Sequence, residues 1–162
     1  MRNVSLTLAL IALGAVSMST RAQDNPALVG VWRLLKYEVE FKDHSPSNQL
    51  FGDHPSGYLI FTREGRMMAV AEATGRKRGS TDAELAALYR STFAYAGTYR
   101  VDGNTWTTKV DASWSPTLRE VEQKRFYTLD GDQLHVTTSW APDPRLPGKG
   151  DARQVLVWQK VE

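Results

Sequence analysis

The sequence predicts an all-β fold, an eight-stranded antiparallel up-and-down barrel with one short helix between strands 3 and 4. The first observation is a set of three tight glycine turns, Glu64-Gly65, Asp102-Gly103 and Asp130-Gly131, each of which separates two strand-like runs. The second is that the connections between these hairpins are long. Because successive connections of such a barrel lie at opposite ends, the tight turns would close one end and the long connections would surround the other. The expected shape is a cup for a small molecule.

Runs of apolar and polar residues bounded by turn formers predict the strands in chain order. They are Leu28–Phe41, Gly57–Thr62, Arg66–Glu72, Tyr95–Val101, Thr105–Trp114, Arg119–Leu129, Gln133–Trp140 and Arg153–Val161. A helix is predicted over Asp82–Tyr89, because Thr81 or Ser80 can cap its first turn and Asp82 suits the positive end of its dipole. The polar loops at 42–55 and 141–152 would lie beside this helix at the open end.

The N-terminal residues predict a secretory signal peptide over residues 1–22, which leaves residues 23–162 as the barrel domain. A short basic start precedes the apolar run Leu6–Val16, and Thr20 and Ala22 supply small residues at the −3 and −1 positions of a cleavage site. The run is shorter than the roughly 18 apolar residues that a membrane anchor needs. We therefore expect cleavage near Ala22, a periplasmic or secreted protein, and no membrane span in the mature chain.

Cleavage would also change the net charge. The full chain carries 20 Lys and Arg against 18 Asp and Glu, and loss of residues 1–22 would remove Arg2 and Arg21 and no acid, which leaves 18 of each. A balanced surface gives no support to binding of nucleic acid or of an anionic membrane, since both depend on clustered positive charge. The chain has no cysteine, so neither a disulfide nor lipid attachment through a thiol is expected.

Strand alternation predicts a polar pair inside the barrel. If Trp32 packs across the closed end, Leu34, Lys36 and Glu38 share its inward face. On the sixth strand, Gln123 and Arg125 fall on the face of Val121, Tyr127 and Leu129. A buried guanidinium requires a carboxylate or a ligand anion, so Glu38 and Arg125 are expected to meet. The pair could be a salt bridge that only orders the barrel, or an anchor for a carboxylate, phenol or carbonyl of an apolar ligand.

Aromatic residues form the second group of candidates. Tyr95 and Tyr99 share one face with Gly97, which would leave room for a bulky group. Trp114 and Trp140 lie where strands run into loops, and they would either gate the open end or pack there as lid residues. Arg66 follows a tight turn and is expected near Trp32 at the closed end.

No metal, cofactor or covalent chemistry is predicted. His44, Asp53 and His54 share one loop, but their spacing matches no standard metal site. The chain has no Gly-x-Ser-x-Gly sequence and no cysteine that could act as a nucleophile.

Several motifs together carry a family resemblance. They are Gly30-Val31-Trp32, GYLIFTREGRMMA at 57–69, Tyr95-Ala96-Gly97-Thr98-Tyr99, VEQKRF at 121–126, LDGDQL at 129–134 and LVWQKV at 156–161. With them the chain resembles the bacterial lipocalin-like domain family over residues 28–161. The resemblance implies a calycin-type barrel. Wider relatives bind small hydrophobic molecules, and a minority of similar barrels are cyclases or isomerases, so the fold does not settle the function.

Three functions follow from these observations. The first is a secreted binder of a small hydrophobic or aromatic molecule, with ligand contacts from Glu38, Tyr58, Tyr95, Tyr99, Trp114, Gln123, Arg125 and Trp140. The second is an isomerase or cyclase in which Glu38 acts as acid or base and Arg125 or Tyr99 stabilises negative charge. The third is an interaction module with a filled barrel. The ligand and the oligomeric state are left open.

Overall fold

The structure is a computed structural model that describes residues 25–143 and 145–161; the predicted signal peptide lies outside them. The strands are β1 Gly30–Phe41, β2 Ser56–Phe61, β3 Arg66–Glu72, β4 Thr92–Asp102, β5 Thr105–Ser113, β6 Gln123–Asp130, β7 Gln133–Thr137, β8 Ala141–Pro142 and β9 Asp151–Lys160. The helix α1 spans Asp82–Arg90, and a 3₁₀ turn covers Pro116–Arg119. No helix in this part of the chain is long and apolar enough to cross a membrane.

Eight of these strands form a closed antiparallel barrel. Strands β1 to β7 pair in chain order, and β9 pairs with both β7 and β1, which closes the sheet. The short β8 pairs only with β9 and extends the wall beyond β7. The helix lies between β3 and β4, so the predicted fold class is confirmed. The sixth strand begins four residues later than predicted, because the 3₁₀ turn that starts at Pro116 occupies residues 116–119.

The three glycine turns lie at one end of the barrel, which is sealed. Gly65, Gly103 and Gly131 have positive φ angles of 78°, 55° and 59°, which glycine adopts without steric cost. Trp32 is buried here, and its indole nitrogen donates to the carbonyl oxygen of Leu28 at 2.8 Å. The segment before β1 therefore closes this end from below.

Arg66 points to the outer surface of the barrel, whereas the sequence had suggested that it caps the closed end beside Trp32. Its guanidinium binds both carboxylate oxygens of Asp111, at 2.5 and 3.1 Å, and both side chains are about half exposed. The burial of β3 alternates, with Met67 inside and Arg66 and Met68 outside. Arg66 thus belongs to the outer surface of the barrel.

Aromatic side chains fill the closed half of the barrel. Phe61 packs edge-on against Tyr99 and Trp106, with ring centroids 4.9 and 5.2 Å apart. Trp106 in turn contacts Tyr127 at 5.6 Å. Edge-on aromatic contacts of this kind add to the free energy gained by burial. Tyr99 is therefore a core residue, and its hydroxyl donates to the carbonyl oxygen of Thr62 at 3.1 Å.

A β-bulge in β1 inverts the direction of its side chains. The pairing of β1 with β9 shifts between Leu34 and Lys36, so Leu34 is buried before the bulge and Tyr37 after it. One extra residue moves every following side chain to the opposite face. Glu38 therefore lies outside and forms an ion pair with Lys36 at 2.8 Å. The inward direction predicted for Glu38 is wrong.

Gly97 allows two strands to approach closely. The pairing of β4 with β5 shifts between Ala96 and Gly97, and a Cβ atom on Gly97 would lie 2.1 Å from the carbonyl oxygen of Lys109. This distance is far shorter than any van der Waals contact. The missing side chain makes room for the backbone of β5 rather than for a bulky ligand, which corrects the sequence-based interpretation.

We expect Gly97→Ala to lower the free energy of unfolding by about 3 kcal/mol, because overpacking a close contact typically costs 1–3 kcal/mol or more. Urea denaturation measures this change. The control is Gly103→Ala, where φ is 55° and no atom lies within 4 Å of an added Cβ; only the left-handed conformation then costs free energy, about 1 kcal/mol. Equal stability losses in the two variants would contradict the steric explanation.

Candidate functional site

A cavity of about 400 Å³ occupies the barrel above the aromatic core. Leu59, Trp106 and Trp158 line its deep part, and each comes from the strand segments nearest the closed end. Ala69, Tyr95 and Leu156 line the wall above them. Pockets that hold small molecules usually measure about 300–1,000 Å³ and are mostly apolar. Both the size and the lining of this cavity fall within that description.

The rim of the cavity is built by the helix and by the segment after β5. Tyr89 of α1 stacks on Trp114, with ring centroids 4.5 Å apart and planes inclined by 25°. The Trp114 indole nitrogen donates to the carbonyl oxygen of Thr92. The helix begins with a capping box between Thr81 and Glu84, and none of the helix residues is buried. Stacking on Trp114 therefore attaches the helix to the rim.

Half of the predicted site residues line the cavity: Tyr95, Trp114, Gln123 and Arg125. Their part in ligand binding stays a prediction. Tyr58 lies on the outer face of β2 and is 49% exposed. Trp140 is 38% exposed, and its ring packs against the guanidinium of Arg153 at 4.7 Å. With Glu38 on the outer face and Tyr99 in the core, these four residues lie outside the cavity lining.

Arg125 points into the cavity but does not meet Glu38. Its guanidinium donates to the carbonyl oxygen of Lys124 at 2.9 Å and to the side-chain oxygen of Gln123 at 3.4 Å. Gln123 is held in turn, because its amide nitrogen donates to the carbonyl oxygens of Leu118 and Val121. No carboxylate in the described part of the chain forms an ion pair with Arg125. The predicted Glu38–Arg125 contact is wrong.

A second polar group reaches the cavity from the loop after β8. Arg145 donates through Nη1 to the Tyr37 hydroxyl at 2.9 Å. It also donates through Nε and Nη2 to the two carboxylate oxygens of Asp143, at 2.9 and 2.6 Å. This forked geometry is the strongest that a guanidinium and a carboxylate can adopt. Tyr37, Asp143 and Arg145 together tie the loop to the inner face of β1.

The ionisation of this group follows from its surroundings. Burial raises the pKa of the Tyr37 hydroxyl above its ordinary value, and the charge and hydrogen bond of Arg145 oppose this only in part. Tyr37 is therefore neutral at neutral pH and keeps its hydroxyl proton. Burial would also raise the pKa of Asp143, but the hydrogen bonds from Arg145 outweigh it and lower that pKa below its ordinary value. Asp143 is ionised.

Strand alternation alone misses Tyr37, and loop composition misses Arg145. Counting from Trp32 without a bulge places Tyr37 on the outer face. Arg145 stands in a Pro- and Gly-rich connection, where nothing in the local sequence indicates that a side chain turns back into the barrel. Among the described residues, no three histidine, aspartate or glutamate side chains are placed to hold a metal ion.

We expect Asp143→Asn to lower the free energy of unfolding by about 2 kcal/mol, since it leaves a half-buried guanidinium without its counter-charge. Because the folded pKa of Asp143 is lowered, its contribution is present above the ordinary value of 3.8 and is lost as the pH falls through the folded pKa. The stability difference between wild type and variant should therefore shrink below about pH 4. Thermal unfolding across this pH range measures it.

The matched control is Asp151→Asn. Asp151 binds Lys42 at 3.2 Å on the surface, and exposed pairs contribute at most about 1 kcal/mol. A loss for Asp143→Asn no larger than that of this control would show that the Arg145 group does not hold the loop.

Residues 29–161 match the family described as the lipocalin-like domain. No curated protein matches the chain. The crystal structure of an uncharacterized protein from Bacteroides eggerthii DSM 20697 is similar over 83% of this chain and 99% of its own, with 12% sequence identity and a TM-score of 0.42. Because the family match spans most of the chain, this protein belongs to the lipocalin-like domain family.

Proposed function

We propose that this protein binds a small hydrophobic or aromatic molecule inside its barrel and that it does so in the periplasm or outside the cell. The observation that carries the proposal is the cavity of about 400 Å³ above a filled aromatic core. The cavity opens at the rim and its lining is mostly apolar. A ligand that enters it would remove apolar surface from water and gain close contacts with the lining.

The lining favours a flat, apolar ligand body. Leu59, Ala69 and Leu156 supply aliphatic surface, and Phe93 and Tyr95 supply aromatic faces beside it. Phe93 and Tyr95 lie with ring centroids 6.2 Å apart and planes inclined by 32°. Aromatic ligands gain from offset stacking or edge contacts with such rings in addition to burial.

The filled-barrel alternative agrees less well with the distribution of side chains. The half of the barrel towards the closed end is packed with side chains, but the half towards the rim contains the cavity. The enzyme alternative loses the residue on which it depended, since Glu38 is paired with Lys36 on the outer face. The cavity is lined by one described carboxylate, Asp143, and both of its oxygens are occupied by Arg145. No described carboxylate is thus placed as a free acid or base beside a ligand.

We expect a panel of fatty acids, retinoids and phenolic compounds to contain ligands that quench the tryptophan fluorescence of the protein. The physical reason is that Trp106, Trp114 and Trp158 line the cavity. Trp114→Phe should reduce the quenching, whereas Trp140→Phe should leave it unchanged because Trp140 lies outside the lining. A ligand at 100 times its Kd should also raise the free energy of unfolding by about 2.7 kcal/mol.

A larger side chain in the cavity lining should weaken binding. Ala69→Phe places a ring in the lining, and its control Met68→Phe places the same ring on the outer face of the same strand, where Met68 is 51% exposed. Affinity should fall at least about tenfold for Ala69→Phe, equal to about 1.4 kcal/mol, and should not change for Met68→Phe. Ala69→Leu serves if the larger ring impairs folding. The proposal fails if no compound in the panel changes fluorescence or melting temperature and none copurifies in native mass spectrometry.

A further inference from the structure

Two side chains that line the cavity, Tyr37 and Arg125, have hydrogen-bond donors to offer a ligand. The Tyr37 hydroxyl accepts from Arg145, which leaves its own proton available. A guanidinium has several N–H donors and no acceptor atom. A ligand that these two side chains bind must therefore supply acceptors.

The charge around the cavity is positive, although the domain as a whole is balanced. Four arginines line it, against the single carboxylate of Asp143. Asp143 neutralises Arg145, and Glu40 neutralises Arg153 at 2.7 Å. The charges of the remaining two arginines, Arg90 at the rim and Arg125 within the barrel, have no described carboxylate as a partner.

Arg125 is the deeper of these two cations, and it is prepared to bind a further group. Two of its N–H groups donate to neutral oxygens, on Lys124 and Gln123, and the others are available. Arg125 is partly buried as a residue, so hydration of its side chain by bulk water is incomplete. A partly desolvated guanidinium gains most from an anion that accepts two parallel hydrogen bonds.

Arg125 and Tyr37 act on the same region of the cavity. Both line it, and the charge of Arg125 is among those that act on the buried Tyr37 hydroxyl. The neighbouring Arg145 fixes the position of that hydroxyl oxygen. An anion bound to Arg125 would thus meet a second, oriented donor.

We propose that the ligand carries a carboxylate, which Arg125 binds through its guanidinium and to which the Tyr37 hydroxyl donates, while the apolar body lies among Leu59, Ala69 and Leu156. This inference rests on the proposed function and specifies the chemistry of its ligand. A carboxylate fits better than a phosphate dianion, because one unpaired guanidinium inside the barrel matches a single negative charge. The planar carboxylate also matches the fork of the guanidinium.

The experiment compares probes that share one body and differ in the polar group. They are 1-naphthylacetate, 1-naphthylacetamide and 1-naphthyl phosphate, with dodecanoate and dodecanamide as an aliphatic pair. Isothermal titration of the full domain at neutral pH should give each carboxylate an affinity at least about tenfold higher than its amide, which corresponds to a hydrogen-bonded charge. The phosphate should bind more weakly than the carboxylate.

Arg125→Met should reduce the affinity for the carboxylates about 30-fold and change the affinity for the amides less than about threefold, because only the charged interaction is removed. Tyr37→Phe should reduce carboxylate affinity at least about tenfold, the usual effect of one hydrogen bond to a charged group. The control is Arg100→Met, since Arg100 binds Glu122 on the outer surface and should alter neither affinity. If Arg125→Met folds poorly, Arg125→Gln serves, with its fold checked by circular dichroism.

The outcomes separate this inference from the function on which it rests. Equal binding of acid and amide by the wild type would overturn the carboxylate and leave the binding function standing. The same follows if Arg125→Met weakens both probes alike, which would mark Arg125 as a structural residue. A preference for the phosphate would replace the carboxylate by a different anion. Binding of none of the probes, together with failure of the wider panel, would overturn both proposals.

Discussion

The pairing of β1 with β9 contains one extra residue between Leu34 and Lys36, and this bulge sets the direction of every side chain in the second half of β1. Without it, Lys36 and Glu38 would lie in the barrel and Tyr37 outside. With it, an aromatic ring and one hydroxyl replace two charges in the interior. The free-energy cost of burying a charge is far larger than that of burying a phenol, so the bulge is what permits an apolar cavity at this position. The docking of Arg145 depends on the same inversion, because its partner is Tyr37.

The barrel divides into two halves with different packing. Towards the tight turns, Trp32, Phe61 and Trp106 fill the space between the strands, and Leu28 seals the end. Towards the long connections, the walls are held apart and the rim is built from elements outside the strands. The helix contributes Tyr89, which stacks on Trp114. An eight-stranded barrel is just wide enough either to be filled by its side chains or to hold one small ligand. In this protein, side chains fill the half towards the tight turns, and the half towards the long connections has space for a small ligand.

Charge is distributed unevenly between the outer surface and the cavity. On the outside, acids and bases are interspersed, and some arginines are paired with carboxylates, as in Arg66–Asp111 and Arg100–Glu122. Inside, Arg125 has neutral oxygens as its only described partners. The net charge of the protein therefore does not indicate the charge of the ligand. The local excess of cations and hydrogen-bond donors at the cavity indicates an anionic ligand with acceptor atoms. Long-range repulsion among the cavity arginines is limited, because Asp143 and Glu40 neutralise two of them.

Strand alternation predicted the direction of some cavity residues correctly, because the strands that carry them are regular. Gln123, Arg125 and Tyr127 follow one another on β6 without a register shift, so a count of two along the sequence gives their direction correctly. Tyr58 was different, because both faces of β2 are apolar in sequence and only packing inside the closed barrel selects Leu59 and Phe61 as the buried ones. Alternation cannot choose a face when both faces carry the same kind of residue.

By itself, the sequence determined the class of fold, the three hairpins and the helix with its cap, since each of these depends on residues a few positions apart. Glycines with left-handed φ angles at the turns and apolar alternation between them are local signals. The tertiary structure alone decided which side chains meet in the cavity. The bulge in β1, the approach of β5 to Gly97 and the return of Arg145 onto Tyr37 each arise from contacts between distant segments. Such contacts depend on closure of the barrel. The pairing register between distant strands cannot be read from a short stretch of sequence.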